Sequence, residues 1–327
     1  MSDPRTGRRA LGAYLMLTAA PLLWAGNWVI GRVLVAGVVT SLEITVARWL
    51  VGAAVLLGLV ARREGGLPRL DGRQWLSVVA GAALGMVAYT LLQYEALRHT
   101  QAINGTLIFS ASPAFTLVLA ATILGERWGL SQVAGIALAL AGVGVILLGG
   151  SGMTAAGLRV QPGDALMVAA SWTWAAYTVL ARVAARRLSS LAWTAWAMAV
   201  AGVGLLPWQL VEWWRGAGGL PALLAEGLSP RLLAVAGALL YIGLFASAAA
   251  YVFWGEGVRR VGASVGSVFG NLLPVFTALL AVATLGERLH LAHLLGAAGV
   301  MGGVWLTTRP ASGPGPAAAP RPVGRPR

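Results

Sequence analysis

The chain has 327 residues, of which 58% are hydrophobic and 11% charged, with a mean hydropathy of +0.76. A soluble domain carries about 25% charged residues, so most of this surface is not built for water, and a bilayer is the natural solvent. The net charge of +13 is carried by arginine alone, and the arginines are scattered between apolar segments, which points to membrane topology rather than to nucleic acid. Cysteine is absent, which excludes disulfides and thiol chemistry.

In chain order, residues 1–10 form a polar, basic N-terminal segment, assigned to the cytoplasm. The first span, Ala10–Arg32, holds WAGNW (Trp24–Trp28) and is too long, with too many similar segments behind it, to be a signal peptide. Further spans are expected near Ser41–Val60, Gln74–Leu97, Ala102–Leu124 and Leu130–Gly149. A Gly-containing connector, Ser151–Gln161, separates residues 11–150 from 162–308. The second half repeats the order with spans near Pro162–Val183, Leu191–Val211, Arg231–Trp254, Ala263–Leu285 and Leu291–Thr307. Each is close to the ~20 apolar residues needed to cross the hydrocarbon core. The tail 309–327, rich in Pro, Ala and Gly, has nothing with which to bury a core and is read as disordered.

The halves are related by a repeat. An offset of 161 takes PAFT (Pro113–Thr116) to PVFT (Pro274–Thr277), and LGER (Leu124–Arg127) to LGER (Leu285–Arg288). The same offset carries Glu95 to Glu256, Arg98 to Arg259, Gly105 to Gly266, Gly135 to Gly296 and Gly142 to Gly303. The fold class is therefore an all-α membrane protein of ten transmembrane helices, built as two five-helix repeats. Five is odd, so the repeats must be inverted relative to one another. Seventeen arginines fall on the side of the N-terminus and six on the other, with Arg48 inside span two. That bias places both termini in the cytoplasm.

The tandem five-span halves, WAGNWVIGR (Trp24–Arg32), ARW (Ala47–Trp49) and the paired Pro…LGER blocks resemble the drug/metabolite transporter superfamily, specifically a ten-helix EamA-type permease. The likeness runs over nearly the whole chain, about residues 11–308. It implies a carrier of the bacterial cytoplasmic (inner) membrane that exports amino acids, metabolites or drugs. Span one lacks the central acidic residue of the small multidrug antiporters of that superfamily, so the resemblance does not extend to proton coupling.

Several residues are candidates for the pathway. Pro113 and Pro274 remove a backbone hydrogen bond each, and free the carbonyls of Phe109 and Gly270 if the helices run through them. Thr106, Ser110 and Pro113 share one helical face, as do Ser267, Asn271 and Pro274. Two such faces suit the walls of a central path, or are kinks that only improve packing. A shift of 150 aligns Trp24 with Trp174, Asn27 with Tyr177 and Arg32 with Arg182. Together with Tyr251 on span eight, these aromatic and amide groups suit a ligand with polar and apolar parts, although tryptophan is also common at the membrane interface. Arg48 could receive a substrate carboxylate, pair with Glu43, or snorkel outward.

Glu95, Glu256, Glu126 and Glu287 are read as structural, forming salt bridges and caps near loops. Gly135, Gly142, Gly296, Gly299 and Gly303 give spans five and ten small faces for close packing, within one chain or between two. His99, His290 and His293 all lie near loops and are read as surface residues; they complete no metal set. No nucleophile elbow, phosphate-binding loop or cofactor motif is present, so an enzyme and an ATP-driven pump are both excluded. The expected partners are a small-molecule substrate and membrane lipid, with the chain a monomer or homodimer. Two functions remain: a secondary transporter or facilitator working by alternating access, and a flippase for a lipid-linked sugar or phosphate carrier.

Overall fold

A computed structural model describes residues 4–125, 129–149, 161–184, 188–261 and 269–307. The tail 309–327, the connector 151–160 and Glu126, Ala263, Gly266 and Ser267 lie outside the described residues. Ten long helices run through the described residues: α1 Pro4–Val35, α2 Ser41–Arg63, α3 Gly72–His99, α4 Ala102–Leu124, α5 Leu130–Gly149, α6 Pro162–Ala184, α7 Ser190–Trp214, α8 Pro230–Val261, α9 Leu272–Leu285 and α10 Leu291–Thr307. Seven of them, α1 to α5, α7 and α8, are long and apolar enough to cross a membrane; α9 and α10 are shorter. A short helix at Leu220–Ala225, not expected from the sequence, precedes α8.

Local chemistry fixes the ends. Thr40 and Glu43 form a reciprocal capping box at the start of α2, with Glu43 N to Thr40 Oγ1 at 3.1 Å and Thr40 N to Glu43 Oε2 at 2.8 Å. Asp71 and Gln74 do the same for α3. The glycines of the two LGER blocks, Gly125 and Gly286, end their helices at φ +69 and +66, the left-handed conformation that favours glycine.

The halves pack as a pseudo-two-fold pair. α1 lies along α8 and α9, and α6 lies along α3 and α4, the same pairing with the halves exchanged. α5 packs on α10, and α2 on α7, each helix against its own counterpart. The α5–α10 seam is antiparallel: a Cβ on Gly135 would lie 2.6 Å from Gly303 O, and one on Gly142 would lie 2.7 Å from Gly296 O. Each glycine thus faces the counterpart of the other, as an isologous contact requires. The glycine faces are used within the chain, and the repeats are inverted.

One feature of α3 and α8 has no signal in composition. Each contains a wider π-helical stretch, Ala82–Ala88 and Tyr241–Ala249, and the 161 offset superposes their last residues. A π stretch displaces the regular i−4 ladder and recurs at functional sites. The stretch of α3 lies against α6 and α7, and that of α8 against α2 and α1.

Candidate functional site

Arg48 sits two turns into α2, is 4% exposed, and reaches across to the second repeat. Its Nε donates to Ser247 Oγ at 2.8 Å, in the π stretch of α8. Its Nη1 donates to Tyr94 Oη at 3.3 Å, and the Tyr94 hydroxyl donates onward to Asn27 Oδ1 at 2.7 Å. Ser247 in turn donates to Ile242 O at 2.9 Å. The guanidinium carbon lies 4.4 Å from the centroid of the Trp49 ring. Four helices, α1, α2, α3 and α8, therefore meet at one polar node drawn from both repeats. The Glu43 alternative does not occur. That carboxylate, 1% exposed, accepts from Thr40 N, Trp213 Nε1, Gly219 N and Leu220 N, and so caps both α2 and the short helix.

Two tryptophans donate into the π stretches. Trp24 Nε1 reaches Ala246 O at 3.0 Å, and Trp49 Nε1 reaches Met86 O at 2.6 Å. Aromatic rings then extend from the node in two directions. Trp24 meets Tyr251 at 5.9 Å and Trp254 at 5.4 Å. Trp174 meets Tyr89 at 4.9 Å, Tyr177 at 5.0 Å and Phe109 at 5.8 Å. Trp24, Asn27, Arg48, Trp174, Tyr177 and Tyr251 thus lie along one belt between the repeats.

The prolines act differently from a mid-helix kink. α4 stops at Phe109 and restarts at Ser112, and Pro113 sits in the first turn of the restarted helix, where its missing N–H costs nothing. Ser110 closes the preceding turn, its N and Oγ both donating to Thr106 O. α9 likewise begins at Leu272 after Asn271, with Pro274 in its first turn. Pro274 is buried, whereas Pro113 is exposed on the flank of the bundle.

A second polar cluster closes one end, where α1 finishes and α4, α6 and α10 begin. Glu287 accepts from Ala102 N at 2.8 Å and Ile103 N at 3.0 Å, and pairs with Arg32 Nε at 3.1 Å. Arg32 Nη1 also donates to Leu97 O at 2.9 Å and to Thr100 O. Thr100 donates to the buried Asp164. His293 is 1% exposed and bonds Asn104 Oδ1 at 2.6 Å, so it is not a surface residue: the loop that precedes it folds over the start of α4. Glu95 pairs with Arg98 and Glu256 with Arg259 and Arg260, in keeping with their structural reading.

The sequence reading passed over Tyr94, Ser247, Tyr89 and Gln93. Ser247 is a lone hydroxyl in an apolar run, and Gln93 is buried with both amide atoms unpartnered, one turn from Tyr89. Isolated polar residues within apolar spans were the available signal. Two clefts among the described residues lie away from the node: one, about 130 Å³, is lined by Thr40, Leu42, Trp208, Gln209, Glu212, Ala217 and Gly218, and the other by Glu64–Pro68.

An all-helical integral membrane protein of two inverted five-helix repeats, with a polar node between them, is the architecture of a membrane carrier. The chain belongs to the EamA-like transporter family, whose model matches residues 11–148 and 161–309. It is 30% identical over 260 residues to the uncharacterized transporter YyaM of Bacillus subtilis, covering 79% of this chain and 82% of that protein. It is 29% identical over 257 residues to a protein of Streptantibioticus cattleyicolor described as a "Probable terminal-alkyne amino-acid exporter", covering 79% and 80% respectively. A solved crystal structure shares the fold, with a TM-score of 0.57 at 22% identity, covering 90% of this chain and 96% of that one. The family and these relatives point to small-molecule transport rather than catalysis.

Proposed function

We propose that the protein is a secondary transporter or facilitator that exports small amphipathic metabolites, amino acids or drugs across the bacterial inner membrane by alternating access. Both termini face the cytoplasm in this reading, as the arginine bias supports. The observation that carries it is the node: Arg48, Asn27 and Tyr94 of the first repeat meet Ser247 of the second, flanked by Trp24, Tyr251, Trp174 and Tyr177. A polar site at the seam of two inverted halves is exposed to one side or the other as the halves rock. The helix breaks at Ser110 and Asn271, next to Pro113 and Pro274, supply the two places where the walls of the path can bend. The amino-acid exporter among the relatives supports an amphipathic cargo. The deep, aromatic setting of Arg48 favours a closed solute site over the laterally open, head-group-lined groove of a flippase.

The test is purified protein in liposomes, preloaded with candidate solutes and assayed by counterflow, alongside a growth-rescue screen against toxic amino acids and drugs. Export of at least one solute, abolished by Trp24→Ala or Tyr251→Ala in protein that still inserts, is the expected result. Lipid-linked sugar translocation without solute counterflow would replace this reading with the flippase.

A further inference from the structure

Arg48 is an uncompensated cation. It is 4% exposed, and no described carboxylate forms an ion pair with it. Glu43, one turn away, is engaged by four donors of its own. Glu95 is held by Ser41, Arg98 and His99, and Glu256 by Arg259 and Arg260. The partners that Arg48 does have are neutral, and their protons are committed: Tyr94 donates to Asn27, and Ser247 donates to Ile242 O. They accept from the guanidinium but bring no charge. A guanidinium offers five N–H donors in a planar fork, and two hydrogen bonds are formed here. A buried charge left unpaired is strongly unfavourable, and within a membrane protein it marks a functional site whose missing partner should be named.

The surroundings describe that partner. Tyr89 and Tyr251 lie within electrostatic range of Arg48 and have no hydrogen-bond partner among the described residues. Phenol hydroxyls are donors as well as acceptors, so the group these residues await is an acceptor-rich anion. A carboxylate matches the guanidinium fork with two parallel bonds, which a monatomic anion cannot do. On the second-repeat side, Tyr251 meets the Trp24 ring, and Trp24 meets Trp254, a corner of flat apolar faces beside the charge. No described acidic side chain is at the node to receive an ammonium group.

We infer that Arg48 is the recognition point for the carboxylate of an organic monoanion whose apolar or aromatic body packs against Trp24 and Tyr251. This rests on the transport reading for its location in the pathway, but not for its chemistry. The halves must part slightly to admit the ligand, and Ser247 and Tyr94 then hand part of the guanidinium to the incoming carboxylate. The positive charge on the repeat that carries Arg48 is unmatched on the other, whose corresponding helix α7 contains no arginine. The site is therefore one-sided within a two-fold frame.

The experiment is calorimetric binding to the purified full-length chain in detergent, with phenylacetate, phenylacetamide, phenylalanine and chloride as probes. Phenylacetate should bind at least tenfold more tightly than its isosteric amide, and more tightly than zwitterionic phenylalanine. Chloride should compete weakly. Arg48→Lys should lose most of the preference for the acid over the amide, because the charge remains but the fork is gone. Equal binding of acid and amide would overturn the inference without any variant that has to fold. So would phenylalanine binding more tightly than phenylacetate, chloride displacing phenylacetate at equal concentration, or no binding of phenylacetate. Counterflow of phenylacetate in liposomes separates the two readings: selective binding through Arg48 without transport would leave this inference standing and remove the transporter.

Discussion

Arg32 of the first repeat and Glu287 of the second form an ion pair, Nε to Oε1 at 3.1 Å, across one end of the bundle. Glu287 uses the same carboxylate to cap α4, accepting from Ala102 N and Ile103 N. A carboxylate at a helix N-terminus satisfies orphan donors and complements the helix dipole. The glutamate of the second LGER block is thus a strap that ties the second repeat to the start of a first-repeat helix. In an alternating-access cycle this strap must open whenever that end of the bundle opens.

Glu287→Gln keeps the shape but removes the charge and turns one acceptor into a donor facing Ile103 N. Bonds to a charged group contribute about 1.5–3 kcal/mol each, so the stability lost should be about 2 kcal/mol by thermal unfolding in detergent. In this thiol-free chain, a Thr100→Cys reporter beneath the strap should react with a maleimide about tenfold faster in the Glu287→Gln background. Adding Arg32→Gln should cost less than the sum of the single changes, since both act on one contact. Full additivity with an unchanged labelling rate would show that the pair does not hold this end shut.

Beside it, His293 and Asn104 join the repeats a second time. His293 Nδ1 accepts from His290 N at 3.0 Å, so the proton lies on Nε2 and is donated to Asn104 Oδ1. His293→Leu leaves that oxygen buried and unpaired, a loss of about 1–3 kcal/mol. His293→Gln, whose amide can still donate to Asn104, should recover about half of it. Leucine and glutamine variants melting together would mean that the hydrogen bond carries no weight.

These contacts mark what could be read in advance. The spans were legible because apolar runs of bilayer length have no other stable solvent, and the repeat was legible because Pro113, Pro274 and the LGER blocks keep one spacing. Arg48 stood out because charge inside a span is rare. The burial of His293 was not legible, since a residue beside a loop is buried only if the loop folds inward, which is a tertiary fact. The proline positions were legible but their effect was not: whether Pro113 kinks a helix or opens a new one turns on the two residues before it. The π stretches were hidden altogether, because a wider turn confined to seven or nine residues of an apolar run leaves no polar pattern from which its period could be read.

Those π stretches yield a further expectation. Met86 O has Trp49 Nε1 as a donor in a wholly buried setting, and Ala246 O has the half-buried Trp24. Trp49→Phe removes the donor while keeping most of the ring, and should cost about 1–2 kcal/mol in stability. It also shortens the aromatic face under Arg48, so binding of a carboxylate probe should weaken. Trp24→Phe should destabilise less, because the Trp24 indole is only half-buried, whereas Trp49 is wholly enclosed. If Trp49→Phe proved neutral, the indole N–H would not be what anchors the π stretch of α3.

The seam between α5 and α10 determines what a topology measurement must find. The helices run antiparallel, with Gly142 against Gly296 in the middle and a Cβ on Gly149 2.7 Å from that of Ala292 at one end. Ser131 lies at the opposite end, in the first turn of α5, so Ser131 and Ala292 occupy opposite faces of the same pair. In the proposed orientation, which follows the arginine bias, the Ser131 end faces the cytoplasm. In intact spheroplasts, a membrane-impermeant maleimide should label the Ala292→Cys variant and leave Ser131→Cys unlabelled until the cells are permeabilised. The reverse pattern would keep the inverted repeats and turn the whole protein over in the membrane. Labelling of both variants from outside would contradict the inversion itself, since one antiparallel pair spanning the bilayer cannot present both helix starts to one face.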